Sequence, residues 1–167
     1  MNTIYKSVTA ALIATSLTLV SANLAASGTH DHKHEAEEFD PLTNEFGSYE
    51  PGMKPVRTIE IEMDDSMRFT PDLINVKVGD VVMFKHNNTG KLMHEFVLGT
   101  HHSLDEHAEM MKKFPGMEHA EPYMAHVAPG ESGQIMWKFS EPGEFSFGCL
   151  IPGHYDAGMK GRIVVGS

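Results

Sequence analysis

From Arg57 to Gly166 the chain is written in short alternating or apolar runs, each closed by turn-forming residues, and this punctuation limits the possible folds more than any other feature. In RTIEIEM, Ile59, Ile61 and Met63 alternate with Glu60 and Glu62. A side-chain period of two means a strand with one dry face and one wet face. DLINVKV, VVMFKHN, MHEFVLG, GQIMWKF, EFSFGCL and KGRIVVG follow, with a GD turn, an NNTG loop and an EPG turn among them. Seven such runs predict an all-β chain folded as an antiparallel Greek-key β-sandwich. One short insertion reads as helical. In SLDEHAEMMKKF, Ser103 and Glu106 have the spacing of a capping box, acids lie in the first turn and lysines in the last, and Pro115-Gly116 ends the segment.

The N-terminal residues do not share this pattern. Lys6 is the only charge ahead of an uncharged run from Val8 to Val20, followed by small residues. This predicts a secretory signal peptide over residues 1–22, cleaved after Ala22 or as far on as Ala26. The run is shorter than the roughly 20 apolar residues needed to span a bilayer. No nearby cysteine can accept a lipid and no arginine pair precedes the run, so the chain is expected to be exported unfolded to the periplasm. No membrane insertion is expected once the signal is removed. Residues 23–55 are dense in charge, Gly and Pro and are expected to form a flexible His-rich segment. There His30, His32 and His34 alternate, which would place three imidazoles on one side of an extended chain. That arrangement suits Cu(II) or Zn(II) capture, the alternative being a merely solvated tail. The sandwich domain is assigned to residues 56–167.

Charge excludes one class of partner. With 23 acidic against 13 basic residues and a net charge of −10, the chain lacks the long-range attraction that nucleic acid requires. The 11 His and 12 Met exceed what packing a small domain needs and point to a soft or borderline metal, copper above all.

The sole cysteine lies in CLIPGHYDAGM, where Cys149, His154 and Met159 follow one another at intervals of five residues. An unpaired cysteine in an exported chain is inert and buried, bonded to another chain, or bound to something. Cys149 closes one predicted strand and Met159 precedes the next, so the three donors share one end of the sandwich. A thiolate, an imidazole and a thioether make a His₂Cys copper site with an axial Met, short of one imidazole. His94 opens a strand after the NNTG loop and is the best candidate for it. The rival, His86, is read as a surface residue at the end of its strand.

With GDVVMFKHNN, MHEFVLG and GCLIPGHYDAGMKGRIVV in view, the chain resembles the cupredoxins, the small blue-copper proteins related to plastocyanin, azurin and rusticyanin, from Val56 to Ser167. Its C-x₄-H-x₄-M spacing is similar to that of rusticyanin and looser than that of plastocyanin. The resemblance implies one type 1 copper per chain, with Cys149, His94 and His154 as the close donors and Met159 as the axial one. Phe96, Phe145 and Phe147 are expected below the site or as ordinary core aromatics, and Gly148 at a close backbone approach. Related copper enzymes place a His beside the cysteine, whereas here its neighbours are Gly148 and Leu150, which argues against catalysis.

Two functions remain: a periplasmic copper-handling protein that confers tolerance, and a soluble electron carrier. The insertion after Gly99 adds Met117 with His119 and Met124 with His126, pairs able to hold further, weakly bound copper. Within its helix, Met110 and Met111 are read as packing, and His101, His102 and His107 as solvated. The layout resembles the periplasmic copper-tolerance cupredoxins of Gram-negative bacteria, which implies a monomer whose partners are copper ions and a redox or copper-transfer protein.

Overall fold

The computed structural model describes residues 39–117 and 119–167, so the signal sequence and His30, His32 and His34 lie outside the described residues. In chain order the strands are β1 (Leu42–Asn44), β2 (Gly47–Tyr49), β3 (Arg57–Asp64), β4 (Arg68–Thr70), β5 (Leu73–Lys77), β6 (Val81–Asn88) and β7 (His94–Gly99). The helix α1 (His101–Lys113) comes next, then β8 (Met124–Val127), β9 (Ser132–Lys138), β10 (Gly143–Gly148) and β11 (Lys160–Gly166). Period-two alternation does what it predicts: in β3, Ile59, Ile61 and Met63 are buried while Glu60 and Glu62 are exposed.

The strands form two sheets, ordered β1-β2-β9-β6-β3-β4 and β5-β11-β10-β7-β8. Ile61, Val82, Phe84, Trp137, Phe147 and Ile163 are fully buried between them. Each such side chain contributes about 1.5–3 kcal/mol by leaving water. The sandwich is not purely antiparallel, as the sequence led one to expect, because β3 pairs with β6 and β5 with β11 in parallel. The cause is topological. After β4 the chain crosses to the second sheet for β5 and returns for β6, so β6 reaches β3 without a hairpin.

A second correction concerns residues 42–49, which were expected to belong to the loose segment. They form the β1–β2 hairpin, and β2 pairs with β9. Phe46 between the strands is 7% exposed and stacks on Trp137 at 5.2 Å, and Trp137 Nε1 donates to the Phe46 carbonyl at 3.0 Å. Only glycine fits at position 47. Its φ is +138°, and a Cβ there would run into the Lys138 carbonyl and the Trp137 indole.

The helix starts differently from the prediction. Thr100 is the N-cap and forms the capping box with Ser103, not Ser103 with Glu106, and the first turn contains no acid. The reason is that β7 stops at Gly99, so the helix starts as soon as the strand ends. The lysines at its end, Lys112 and Lys113, fall as expected. Leu104, Ala108 and Met111 pack against Val97, Met124, Leu150 and Tyr155 in a second apolar cluster. β7 is therefore buried on both faces. Phe96 and Leu98 join the sandwich core, and Val97 joins the cluster with the helix. No helix among the described residues is long and apolar enough to cross a membrane.

Candidate metal centre

β10 delivers Cys149 to the end of the sandwich, and the loop it opens is folded by its own backbone. His154 N donates to Ile151 O at 3.0 Å, Met159 N to His154 O at 3.1 Å, and Cys149 N to Met159 O at 3.0 Å. The last bond closes the loop at its base. At Gly148 a Cβ would come within 2.7 Å of the Tyr155 ring, so the close approach expected there is to a side chain of the same loop.

His94 enters as the first residue of β7. The donor atoms of His94, Cys149 and His154 all lie within 4.8 Å of one another. Cys149 Sγ is 3.3 Å from His154 Nδ1 and accepts the Glu95 N–H at 3.3 Å, and the two imidazole rings are 5.1 Å apart. His94 is fully buried, yet neither ring nitrogen makes a hydrogen bond, although Nε2 stands 3.4 Å from Asp65 Oδ1. Met159 is fully buried in the same apolar cluster as Cys149.

Burial pushes the Cys149 thiol up to about 12, against hydrogen bonds from the Glu95 and Ile151 backbone that pull it down. His154 is lowered from its ordinary value, first by burial and then by His94 beside it. The site thus holds a neutral thiol and a neutral His154 near pH 7, and a metal that binds the sulfur must release its proton. A fully buried imidazole without partners is costly unless a further group completes it. One sulfur and two nitrogens in reach of a common point suit copper.

Phe96 and Phe147 stack at 5.0 Å and are fully buried, with Phe69 set edge-on to both, so they belong to the core that continues beneath Cys149. Phe145 is farther off, against Phe139 at 6.5 Å.

His86 corrects the sequence reading. It is not a surface residue but lies within β6, 1% exposed, with its ring 4.3 Å from Phe96 and neither nitrogen hydrogen-bonded. Desolvation lowers its pKa to about 3. Phe84, His86 and Asn88 alternate on the dry face, and Asn88 extends the strand by donating to Leu92 O at 2.8 Å and Val127 O at 2.9 Å.

Two residues of the site were not found from sequence. Asp65, in the turn after β3, accepts the Lys91 N–H at 2.9 Å and the Leu92 N–H at 3.1 Å, and these bonds hold its carboxyl below the usual range. Glu95 is 3% exposed; its Oε2 accepts the Leu150 N–H at 3.2 Å and its Oε1 lies 2.6 Å from His126 Nε2. A carboxylate inside the apolar run HEFVLG was the available signal for Glu95. Asp65 left none, because its partner is 29 residues away.

The insertion is also rearranged relative to expectation. His101 and His102 are exposed, but His107 is half-buried with its ring 4.8 Å from that of His119. Met111 packs beneath the helix, whereas Met110 is 46% exposed. Met124 is buried in the second apolar cluster while His126 pairs with Glu95, and Met117 is 39% exposed.

A two-sheet sandwich with a Cys-His-Met loop after its penultimate strand and a histidine at the start of an adjacent strand defines a cupredoxin. Residues 57–166 match the copper binding proteins of the plastocyanin/azurin family, and the chain belongs to that family. Copper is its cofactor, and the His94, Cys149 and His154 cluster fits a type 1 site. The chain is 42% identical over 149 residues to the copper-resistant cuproprotein CopI of Rubrivivax gelatinosus, a match covering 88% of this chain and 90% of that protein. To the protein of the same name from Vibrio cholerae it is 33% identical over 117 residues, covering 70% and 69%. Among solved structures, reduced auracyanin from Roseiflexus castenholzii superposes with a TM-score of 0.59 at 22% identity, covering 68% of this chain and 100% of that one. Auracyanin B gives 0.59 at 23% identity, covering 75% and 97%. At such identities the structural likeness bears on the fold alone.

Proposed function

We propose that this chain is a periplasmic cupredoxin that holds one copper on His94, Cys149, His154 and Met159, contributes to copper tolerance and catalyses no reaction. The observation that supports the site is the meeting of His94, Cys149 and His154 within 4.8 Å, with both His94 nitrogens buried and unbonded. Tolerance is supported by relatives named as copper-resistant, one of them similar over 88% of the chain. The periplasmic location rests on the signal sequence read over residues 1–22.

Bound copper would supply a one-electron couple. The chain's own residues hold the donors in place. Asp65 Oδ1 faces His94 Nε2 at 3.4 Å, on the side away from Nδ1, the nitrogen that would take the metal. The Glu95 N–H bonded to Sγ stabilises negative charge on sulfur, and the Cys149–Met159 backbone bond keeps the loop shut. Donors tied in this way move little when the charge at the site changes.

A second reading, a soluble electron carrier, has one observation in its favour. Leu92 and Met93, directly before His94, are 47% and 48% exposed and offer an apolar surface to a redox or copper-transfer partner. Deleting the gene separates the two. Tolerance predicts sensitivity to excess copper with normal respiration at low copper, not rescued by Cys149→Ala. A respiratory defect at ordinary copper without copper sensitivity would instead establish the carrier.

A further inference from the structure

Burial fixes three of the four proposed donors, and the fourth is held differently. His94, Cys149 and Met159 are fully buried, whereas His154 is only half-buried. Along residues 151–158 of its loop, all of them described, Tyr155 alone is buried, and it directly follows His154. The Tyr155 ring belongs to the apolar cluster of Leu104, Ala108 and Met111 on α1, and Lys160 Nζ lies 4.5 Å from its centre. Its O–H donates to Asp105 Oδ1 at 2.9 Å. Asp105 and Lys112 stand two turns apart on α1, hence on one stripe, and Lys112 Nζ meets Asp156 Oδ2 at 2.9 Å. The helix thus reaches both residues that follow His154.

These ties differ in strength. The Lys112–Asp156 pair and the bond from Arg68 Nη1 to Ala157 O at 2.9 Å are exposed, where water screens charge and little is gained. Tyr155 combines a buried ring with a hydrogen bond to a charged acceptor, about twice as strong as one between neutral groups. We propose, on the reading of His94, Cys149, His154 and Met159 as copper donors, that Tyr155, tethered by Asp105, positions His154 and lets α1 slow the release of the metal. A half-exposed imidazole can swing out to water, and it returns fastest when its backbone is held in place. Packing Tyr155 against α1 holds the backbone one residue from His154. The tie also acts before copper arrives, since every group in it belongs to the chain. Neither Tyr155 nor Asp105 is itself a donor, so both are positioning residues.

The test takes the chain without its signal sequence, loads it with one equivalent of copper and adds excess chelator. Decay of the thiolate-to-copper band gives the release rate. Tyr155→Phe keeps the ring and loses the O–H, and should release copper about tenfold faster, the change expected for one hydrogen bond to a charged group. Asp105→Ala should match it. Asp105→Asn keeps an acceptor oxygen and should restore a rate close to the parent's. Lys112→Ala should change little. In the metal-free proteins, exchange of the His154 and Met159 amides, whose N–H groups fold the loop, should quicken in Tyr155→Phe while the β3 and β6 amides keep the parent's rates. Quickening of all these amides together would mean general destabilisation and overturn the positioning role. So would variants that release copper at the parent's rate, or a Lys112→Ala variant as fast as Tyr155→Phe. Should Asp105→Ala misfold, Tyr155→Phe and Asp105→Asn decide. A parent without the band would overturn the copper assignment instead, and the metal-free exchange would still report on the brace, so the two failures are told apart.

Discussion

Cys149 answers to three constraints at once: it is fully buried, it accepts the Glu95 N–H, and its thiol is pushed up to about 12. Its partners in the loop were legible because C-x₄-H-x₄-M between two strands is a local pattern, read without knowing the fold. Met159 is the proposed donor whose effect is most separable. A thioether favours Cu(I) more than an amide oxygen does, so Met159→Gln should lower the reduction potential and keep a coloured site; voltammetry with an unchanged potential would remove Met159 from the donor set. His86 gives a prediction about acid. Its folded pKa is about 3 against an ordinary 6.5, so between these values the unfolded chain binds one more proton than the folded one. Stability is unaffected above pH 6.5 and lost as pH falls through that window, by about 1.4 kcal/mol per pH unit. His86→Leu should flatten this slope in urea unfolding midpoints measured from pH 7 to pH 4, and an unchanged slope would mean that the imidazole ionises in place. Neither the burial of His86 nor the role of Asp65 could be read locally, because each depends on a neighbour that only the folded sheets supply.

At the scale of elements, the runs long enough to show a period are the ones the sequence made visible. β3, β5, β6, β7, β9, β10 and β11 each have five residues or more, and each was expected. β1, β2, β4 and β8 have three or four residues, too few for two full alternations. The β1–β2 hairpin shows the cost of missing them. Written as PLTNEFGSY, it looks polar, and the hydrophobic side chain it buries is Phe46, stacked on Trp137. Phe46→Ala should therefore destabilise the domain by about 3–5 kcal/mol. The visible copper band of the folded fraction should be preserved, since the hairpin supplies no donor. Chemical denaturation of the copper-loaded protein checks both halves, and a loss below about 1 kcal/mol would show that the hairpin is only loosely attached.

Across the sandwich, the copper cluster joins segments that the chain keeps far apart. Asp65 leaves the first sheet at the end of β3, His94 begins β7 in the second sheet, and Cys149 and His154 belong to the loop between β10 and β11. A metal held by His94, Cys149 and His154 together binds only the folded state, because the unfolded chain does not hold His94 near residues more than 50 positions away. Copper should therefore stabilise the protein by linkage, by about 2.7 kcal/mol when free copper is a hundredfold above its dissociation constant. For a domain of this size that is a rise in Tm on the order of 10 °C. The Cys149→Ala variant supplies the control. It loses the thiolate-to-copper band and should lose most of the copper-dependent rise in Tm. Calorimetry of both proteins with and without copper makes the comparison, and an equal rise in the two would show that the copper that stabilises the fold is not held at Cys149.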